Sequence, residues 1–247
     1  MTFPFTLSGY RELIQSFLAR GYEIKKFADA QVKEAHLILR HDVDMSLDQA
    51  LEFSRYEAEE GYRATYFVLL CSEFYNAFTA KNIGIISEIA GMGHDIGLHF
   101  DASKYGDAKE TLTNAARSEC AILEDILGRD VSVISFHRPA TSLLDYSEPL
   151  AGRIHAYQPK FFWEMGYCSD SRGAWEHGEP LNHSVVEERR ALQLLTHPIW
   201  WTGRALSPKK KLQEFLAETF EHLDLELSKQ CKTHQAAGLE AIRTVRR

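Results

Sequence analysis

The sequence predicts a single-domain α/β protein built on a mostly parallel sheet, and three observations predict it. Short apolar runs of strand length alternate with longer segments of helical periodicity. No repeat and no Gly/Ser/Pro-rich linker interrupts the 247 residues, a length that suits one large domain with a sizeable core. The polar residues able to carry chemistry follow the strand-like runs, and the carboxyl ends of parallel strands are where such sheets hold ligands.

Taken in order, Ser8 to Arg20 reads as a helix closed by Gly21, a residue favoured just past a helix end. His36 to Arg40 reads as a buried strand. Ser46 with Gln49 three residues on is a capping-box start for a helix that reaches Glu60 and Gly61. Ala64 to Leu70, rich in Thr, Tyr, Phe and Val, is a strand. Ile83, Ile86 and Ile89 have helical spacing, closed by Gly91 and Gly93, and a short strand carries the chain to His99 and Asp101. Asp107 to Leu127 is the clearest helix: Ala108, Leu112, Ala115, Ala116, Cys120, Leu123, Ile126 and Leu127 share one face. After Gly128 come strands at Val131 to Phe136 and Leu192 to Leu195, with a further strand end at Tyr167 to Asp170. Ser207-Pro208 starts a last helix in which Leu212, Phe215, Leu216, Phe220, Leu223 and Leu227 are expected to face inward.

Composition narrows the class. Apolar residues make up 45% and charged residues 26%, as in ordinary globular proteins. A formal net charge of -7 gives no electrostatic reason for a nucleic-acid partner. The segment Ser228 to Arg247 reverses the balance and reads as a solvated basic tail. Cys71, Cys120, Cys168 and Cys231 are far apart with no CxxC pair, so buried free thiols in a reducing compartment are expected. The start lacks a basic stretch followed by an apolar run, and the longest apolar run, Tyr66 to Cys71, is too short to cross a bilayer. No membrane span and a cytoplasmic location are therefore expected.

Five segments carry the candidate chemistry. In Arg40-His41-Asp42-Val43-Asp44, two carboxylates beside an Arg and a His repel each other unless a cation or a shared proton offsets them. Such a set suits a hard or borderline metal, though a polar turn capping the next helix would look the same. Gly93-His94-Asp95-Ile96-Gly97-Leu98-His99-Phe100-Asp101 has glycines that permit close backbone approach, and it delivers a His, the commonest metal ligand. Ser135-Phe136-His137-Arg138-Pro139 offers a guanidinium able to clamp a carboxylate at two points, or a structural Arg–Asp pair. Tyr167-Cys168-Ser169-Asp170-Ser171 ends in another Asp. In Thr196-His197-Pro198-Ile199-Trp200-Trp201 an imidazole leaves a strand beside two indoles, which stack on sugar faces or fill a core.

In their order and spacing these segments resemble the five motifs of the polysaccharide deacetylase superfamily (carbohydrate esterase family 4, NodB homology), over roughly residues 37 to 201. The resemblance implies a distorted (β/α)7-type barrel, a divalent metal ion that is usually zinc, and hydrolysis of N-acyl amino sugars. On it, Asp42 is similar to the catalytic base, and Asp44 to the metal-binding Asp, displaced by one position in an Asp-Val-Asp variant. His99 matches the first metal His, Arg138 and Pro139 the motif that orients the base, Asp170 the Asp that supports the site's charges, and His197 the general acid. The family places a second metal His four residues after the first, where this chain has Ser103, so Asp101, His137 or Ser103 itself is left to supply the third ligand. His41, Trp200 and Trp201 are expected to contact a carbohydrate or amino-sugar substrate. Alternatives from other classes are a carbohydrate-binding relative that kept the barrel and lost activity, a glycoside hydrolase working through two carboxylates, and a hydrolase of a non-sugar amide.

Overall fold

A computed structural model describes residues 3–138, 141–144, 146–176 and 178–236, in two compact units that divide after Gly203. The larger unit runs α1 (Leu7–Ala19), β1 (Glu23–Ile24), β2 (His36–Val43), α2 (Leu47–Glu59), β3 (Thr65–Val68), α3 (Ala80–Gly91) and β4 (Asp95–Phe100). It continues with α4 (Lys109–Leu127), β5 (Val133–Phe136), α5 (Thr141–Leu144), β6 (Ile154–His155), β7 (Gly166–Ser169), α6 (Ser184–Glu187), β8 (Leu192–Thr196) and α7 (Pro198–Trp201). Seven strands form one curled parallel sheet in the order β6-β5-β4-β3-β2-β8-β7, and β1 pairs with the start of β2. This curled sheet is consistent with the distorted (β/α)7-type barrel that the resemblance implies. The late strand β8 inserts beside the early strand β2, with Leu37 to His41 paired to Leu192 to Thr196. Residues 155 apart in the chain thereby become neighbours.

Strand register decides what lies inside the curl. Side chains alternate between faces along a strand, and residues in register share a face. Asp42 is in register with Phe67, Phe67 with Gly97, His99 with Ser135, and Arg40 with Leu195. Arg40, Asp42, Phe67, His99 and Ser135 therefore point into the concave interior. His41, Tyr66 and Thr196 point to the outer layer, where α1 and α2 contribute Tyr10, Phe53 and Glu57.

The helices form where periodicity places them. Thr6 accepts from Gly9 N at the start of α1, whose buried face is Tyr10, Leu13, Ile14 and Phe17. Ser46 accepts from Gln49 N and starts α2. In α3 the buried residues are Ile85, Ile86 and Ile89, while Ile83 is only half-buried. In α4 Leu112, Ala116, Cys120 and Leu123 are buried, and Gly128 closes the helix at φ 63°. Strands β1 and β6, of two residues each, are too short to give a periodic signal.

The smaller unit contains α8 (Pro208–Gln230). Ser207 makes no side-chain cap bond there, and proline in the first turn starts the helix instead. The inward face expected for it is found only in part: Phe215 is buried and Leu212 and Phe220 half-buried, whereas Leu216, Leu223 and Leu227 are exposed. The unit's described residues hold no second layer able to cover that stripe. The basic tail reaches beyond the described residues from position 237 onward. Cys120 and Cys168 are buried free thiols as expected, whereas Cys71 is half-buried and Cys231 exposed. Among the described residues no helix is long and apolar enough to cross a membrane.

Gly97 shows how tightly the interior is filled. A Cβ there would lie 2.5 Å from the Phe67 ring and 2.9 Å from the Val133 carbonyl oxygen. The ring and the Val133 backbone would have to give way together. Gly97→Ala is expected to destabilise the fold by about 1–3 kcal/mol, the usual cost of overpacking, as read from urea unfolding. A variant as stable as the parent would mean that the interior accommodates a methyl group at this point.

Candidate metal and catalytic site

The site is built at the carboxyl ends of β2, β4, β5, β7 and β8. Asp44 follows β2, His99 lies near the end of β4, and His137 follows β5. Asp44 Oδ1 lies 3.0 Å from His99 Nε2 and 3.0 Å from His137 Nδ1, and the two nitrogens are 3.2 Å apart. These three side chains form a group able to hold a metal ion. Ligands on a tetrahedral ion with bonds of roughly 2.0–2.1 Å are separated by about 3.3 Å, so the spacing fits. The carboxylate oxygen gives a second test: Asp44 Oδ1 is buried yet has no partner of hydrogen-bond geometry. A buried acceptor left so is costly unless a cation completes it.

The ring orientations agree with that reading. His99 Nδ1 lies 2.6 Å from Ser135 Oγ, and Ser135 donates onward to Asp42 Oδ1 at 3.4 Å. Nδ1 then carries the proton and Nε2 presents its lone pair toward Asp44 and His137, the arrangement in which a second partner fixes a metal-binding imidazole. Burial works to raise the Asp44 carboxyl, but His137 and His99 outweigh it and hold the group well below the usual carboxylate range. His137 is raised in turn, chiefly by its contact with Asp44.

Asp42 stands behind this cluster, with Oδ2 3.7 Å from His99 Nε2. Its partner is Arg40, which donates from Nε to Oδ1 at 3.0 Å and from Nη2 to Oδ2 at 2.8 Å. Both side chains are buried, and Arg40 also donates to Gln193 Oε1 at 3.1 Å and faces the Tyr157 ring at 5.0 Å. Burial raises the Asp42 carboxyl and the guanidinium more than offsets it, so the pKa lies below its ordinary value.

His197 faces the cluster from β8, with Nε2 3.7 Å from Asp44 Oδ2. Asp170 accepts from His197 Nδ1 at 2.6 Å, from the His197 backbone N–H at 3.1 Å and from Trp201 Nε1 at 2.7 Å. Burial disfavours the charged imidazole, yet Asp170, with Asp44 and Asp42 behind it, raises His197 to about 9. Beside Asp44 and His137 opens a small pocket, also lined by Leu69, Phe74, Lys104 and Arg138.

Several sequence expectations are corrected by these positions. Arg138 does not orient Asp42, because Arg40 occupies that place from within the sheet; its own side chain is 66% exposed, with Nη1 4.0 Å from Asp101 Oδ2. Pro139 lies outside the described residues. Asp101 and Ser103 are not the third member of the cluster, since Asp101 Oδ1 accepts from Ser103 N and Oγ at 3.2 and 2.6 Å and closes a short turn. His41 cannot meet a substrate: it is buried on the outer face of β2, bonded to Thr196 Oγ1 at 2.6 Å and Glu57 Oε1 at 3.0 Å. Trp200 and Trp201 are buried too, and Trp201 packs on Phe5 and Tyr10, which leaves it no open face for a sugar.

Sequence reasoning did not assign Ser135, Gln193 or Glu57. Glu57 is fully buried and accepts from Tyr10 and Tyr66, both at 2.6 Å, as well as from His41. A Glu in the middle of a helix gives no signal of such a place. Arg40 could have been found from alternation alone, because it shares a face with Asp42.

No family model matches the sequence, and no curated protein does. Among solved structures, the chain is similar to a chitin deacetylase from Colletotrichum lindemuthianum, at 15% identity over 80% of this chain and 86% of that one, with a TM-score of 0.49. It is similar to the deacetylase PplD of Streptococcus pyogenes at 12% identity over 86% and 88%, with a TM-score of 0.45. It is also similar to a CE4 family pseudoenzyme from Bacillus anthracis at 13% identity and a TM-score of 0.43, covering 78% of this chain and only 63% of that one.

The raised His197 has a consequence for stability. Its folded pKa of about 9 stands above the ordinary 6.5, so the ion pair's contribution is full below pH 6.5 and is lost as pH climbs through 9. The difference amounts to about 3 kcal/mol. In chelator-treated protein, unfolding free energy measured at pH 7 and pH 10 should drop more for the parent than for His197→Gln by about that amount. Equal drops would remove the ion pair from the account.

Proposed function

We propose that the chain is a divalent-metal-dependent hydrolase that removes an N-acyl group, acetyl or formyl, from an amino sugar. The observation that carries this reading is the convergence of Asp44, His99 and His137, with Asp42 and His197 each 3.7 Å from an atom of that cluster. Three donors of mixed nitrogen and oxygen type suit zinc and leave a fourth position open. An ion held there would polarise an amide carbonyl and lower the pKa of a water molecule.

The chain's own groups divide the proton transfers between them. Asp42 stays ionised through Arg40 and takes a proton from the attacking water. Arg40 is spent on holding that carboxylate in one orientation and does not touch the substrate. His197 stays protonated at neutral pH through Asp170 and gives its proton from Nε2 to the departing amine. Asp170 is held by three donors, so the imidazole cannot swing. Base and acid thus stand on neighbouring strands, β2 and β8.

Two measurements test this. Elemental analysis of protein purified without chelator should find about one divalent ion per chain in the parent and less than about a tenth of that in His137→Ala, since loss of one of three ligands removes a full vertex of the site. Parent protein with no bound ion would sink the metal centre. Assayed on N-acetyl and N-formyl amino sugars, Asp42→Asn should keep its metal and lose at least about 10²-fold in kcat, the range of general-base catalysis. Undiminished turnover would remove Asp42 from the chemistry.

A further inference from the structure

We propose that Arg138 reads an anionic substituent, a carboxylate or a phosphate, on the substrate; this rests on the deacylase reading and names the substrate class within it. The first support is a displaced role. Arg40 supplies both hydrogen bonds that Asp42 takes from a guanidinium, so Arg138 is left with no carboxylate to hold in the catalytic group. The second is its place. Arg138 follows His137 directly and lines the same pocket as Asp44 and His137.

The third support is its state of pairing. The side chain is 66% exposed, and among the described residues its carboxylate contact is Asp101 Oδ2, 4.0 Å away. The other oxygen of Asp101 is committed to Ser103. Lys104 lines the same pocket, and its ammonium donates to the Cys71 carbonyl oxygen at 2.9 Å and reaches Glu73, a largely exposed carboxylate, at 3.5 Å. With a divalent ion offsetting Asp44, the pocket's two cations and the ion outweigh Glu73 and Asp101. In a chain of net charge -7, that local excess of positive charge complements an anion. Phe74 and Leu69 add apolar surface to the same pocket, where the ring of a sugar could rest. A planar guanidinium that is always charged suits two-point contact with a carboxylate or phosphate.

The test compares three probes on the zinc-loaded full chain: neutral N-acetylglucosamine, N-acetylglucosamine 1-phosphate and N-acetylmuramic acid. Both kcat/KM and calorimetric Kd are measured for the parent, Arg138→Leu and Arg138→Lys. The parent should favour at least one anionic probe over the neutral one by about 10–100-fold, the worth of a charge-assisted hydrogen-bonded pair. Arg138→Leu should bring that ratio close to one, and Arg138→Lys should keep part of it. The phosphate and carboxylate arms tell which anion is read. An unselective parent, or a selectivity that survives Arg138→Leu, overturns the proposal, as does failure of every probe to bind. Absence of turnover on all probes, with anion-selective binding that Arg138→Leu abolishes, would sink the deacylase reading and uphold the anion site.

Discussion

The buried ion pair between Arg40 and Asp42 is the constraint on which the site depends. Both charges have left water for the inside of a curled sheet, and such a transfer is costly unless every donor and acceptor is met. Here the guanidinium fork meets both carboxylate oxygens, a third nitrogen meets Gln193, and aromatic rings of Phe67 and Tyr157 lie within 5.6 and 5.0 Å of its centre. A lone carboxyl in that place would take up a proton and cease to be a base. Paired, it stays charged, and its charge adds to those that keep His197 protonated. One interaction therefore supports both proton states that the proposed hydrolysis needs.

The same strand carries a second polar system on its other face. His41 lies between Thr196 of β8 and Glu57 of α2, and Glu57 also holds Tyr10 of α1 and Tyr66 of β3. Burial disfavours the Glu57 carboxylate, but His41 and its other partners hold its pKa below the ordinary value. These bonds fasten β2 to β8 from outside, one residue away from Asp42 and His197 on the inside. Because a slip of one residue would exchange the two faces of β2, burying a specific polar set on each face fixes the register that brings base and acid together.

Much of this was legible in the sequence because it follows from periodicity. The strand runs and the helical faces of α1, α2 and α4 mark the architecture, and strand-end polar residues mark Asp42, Asp44, His99 and His197. What was not legible depends on direction and on pairing across the sheet. His41 sits between two inward-facing residues and reads as a site group beside them, although alternation alone sends it outward. Trp201 is ambiguous in the sequence, because an indole beside a His suits a sugar platform and a core position equally well. Its N–H is instead used by Asp170, and its ring by Phe5 and Tyr10. The resemblance points to Arg138 as the partner of Asp42, while the guanidinium that holds it lies two places before Asp42 on the same strand.

The choice of His137 over Ser103 follows from the register of β4 and β5. His99 pairs with Ser135, and His137 is two residues further on, so its side chain returns to the same face one step nearer the rim. Ser103 lies in the turn after β4, where Asp101 draws both its N–H and its hydroxyl away from the cluster. A vertex that might have come from the turn after His99 is thus filled from the neighbouring strand. That exchange places the residue after His137 at the edge of the pocket instead of beneath it. With Arg40 already occupying the interior beside Asp42, a guanidinium at position 138 faces the pocket, with Asp101 4.0 Å away.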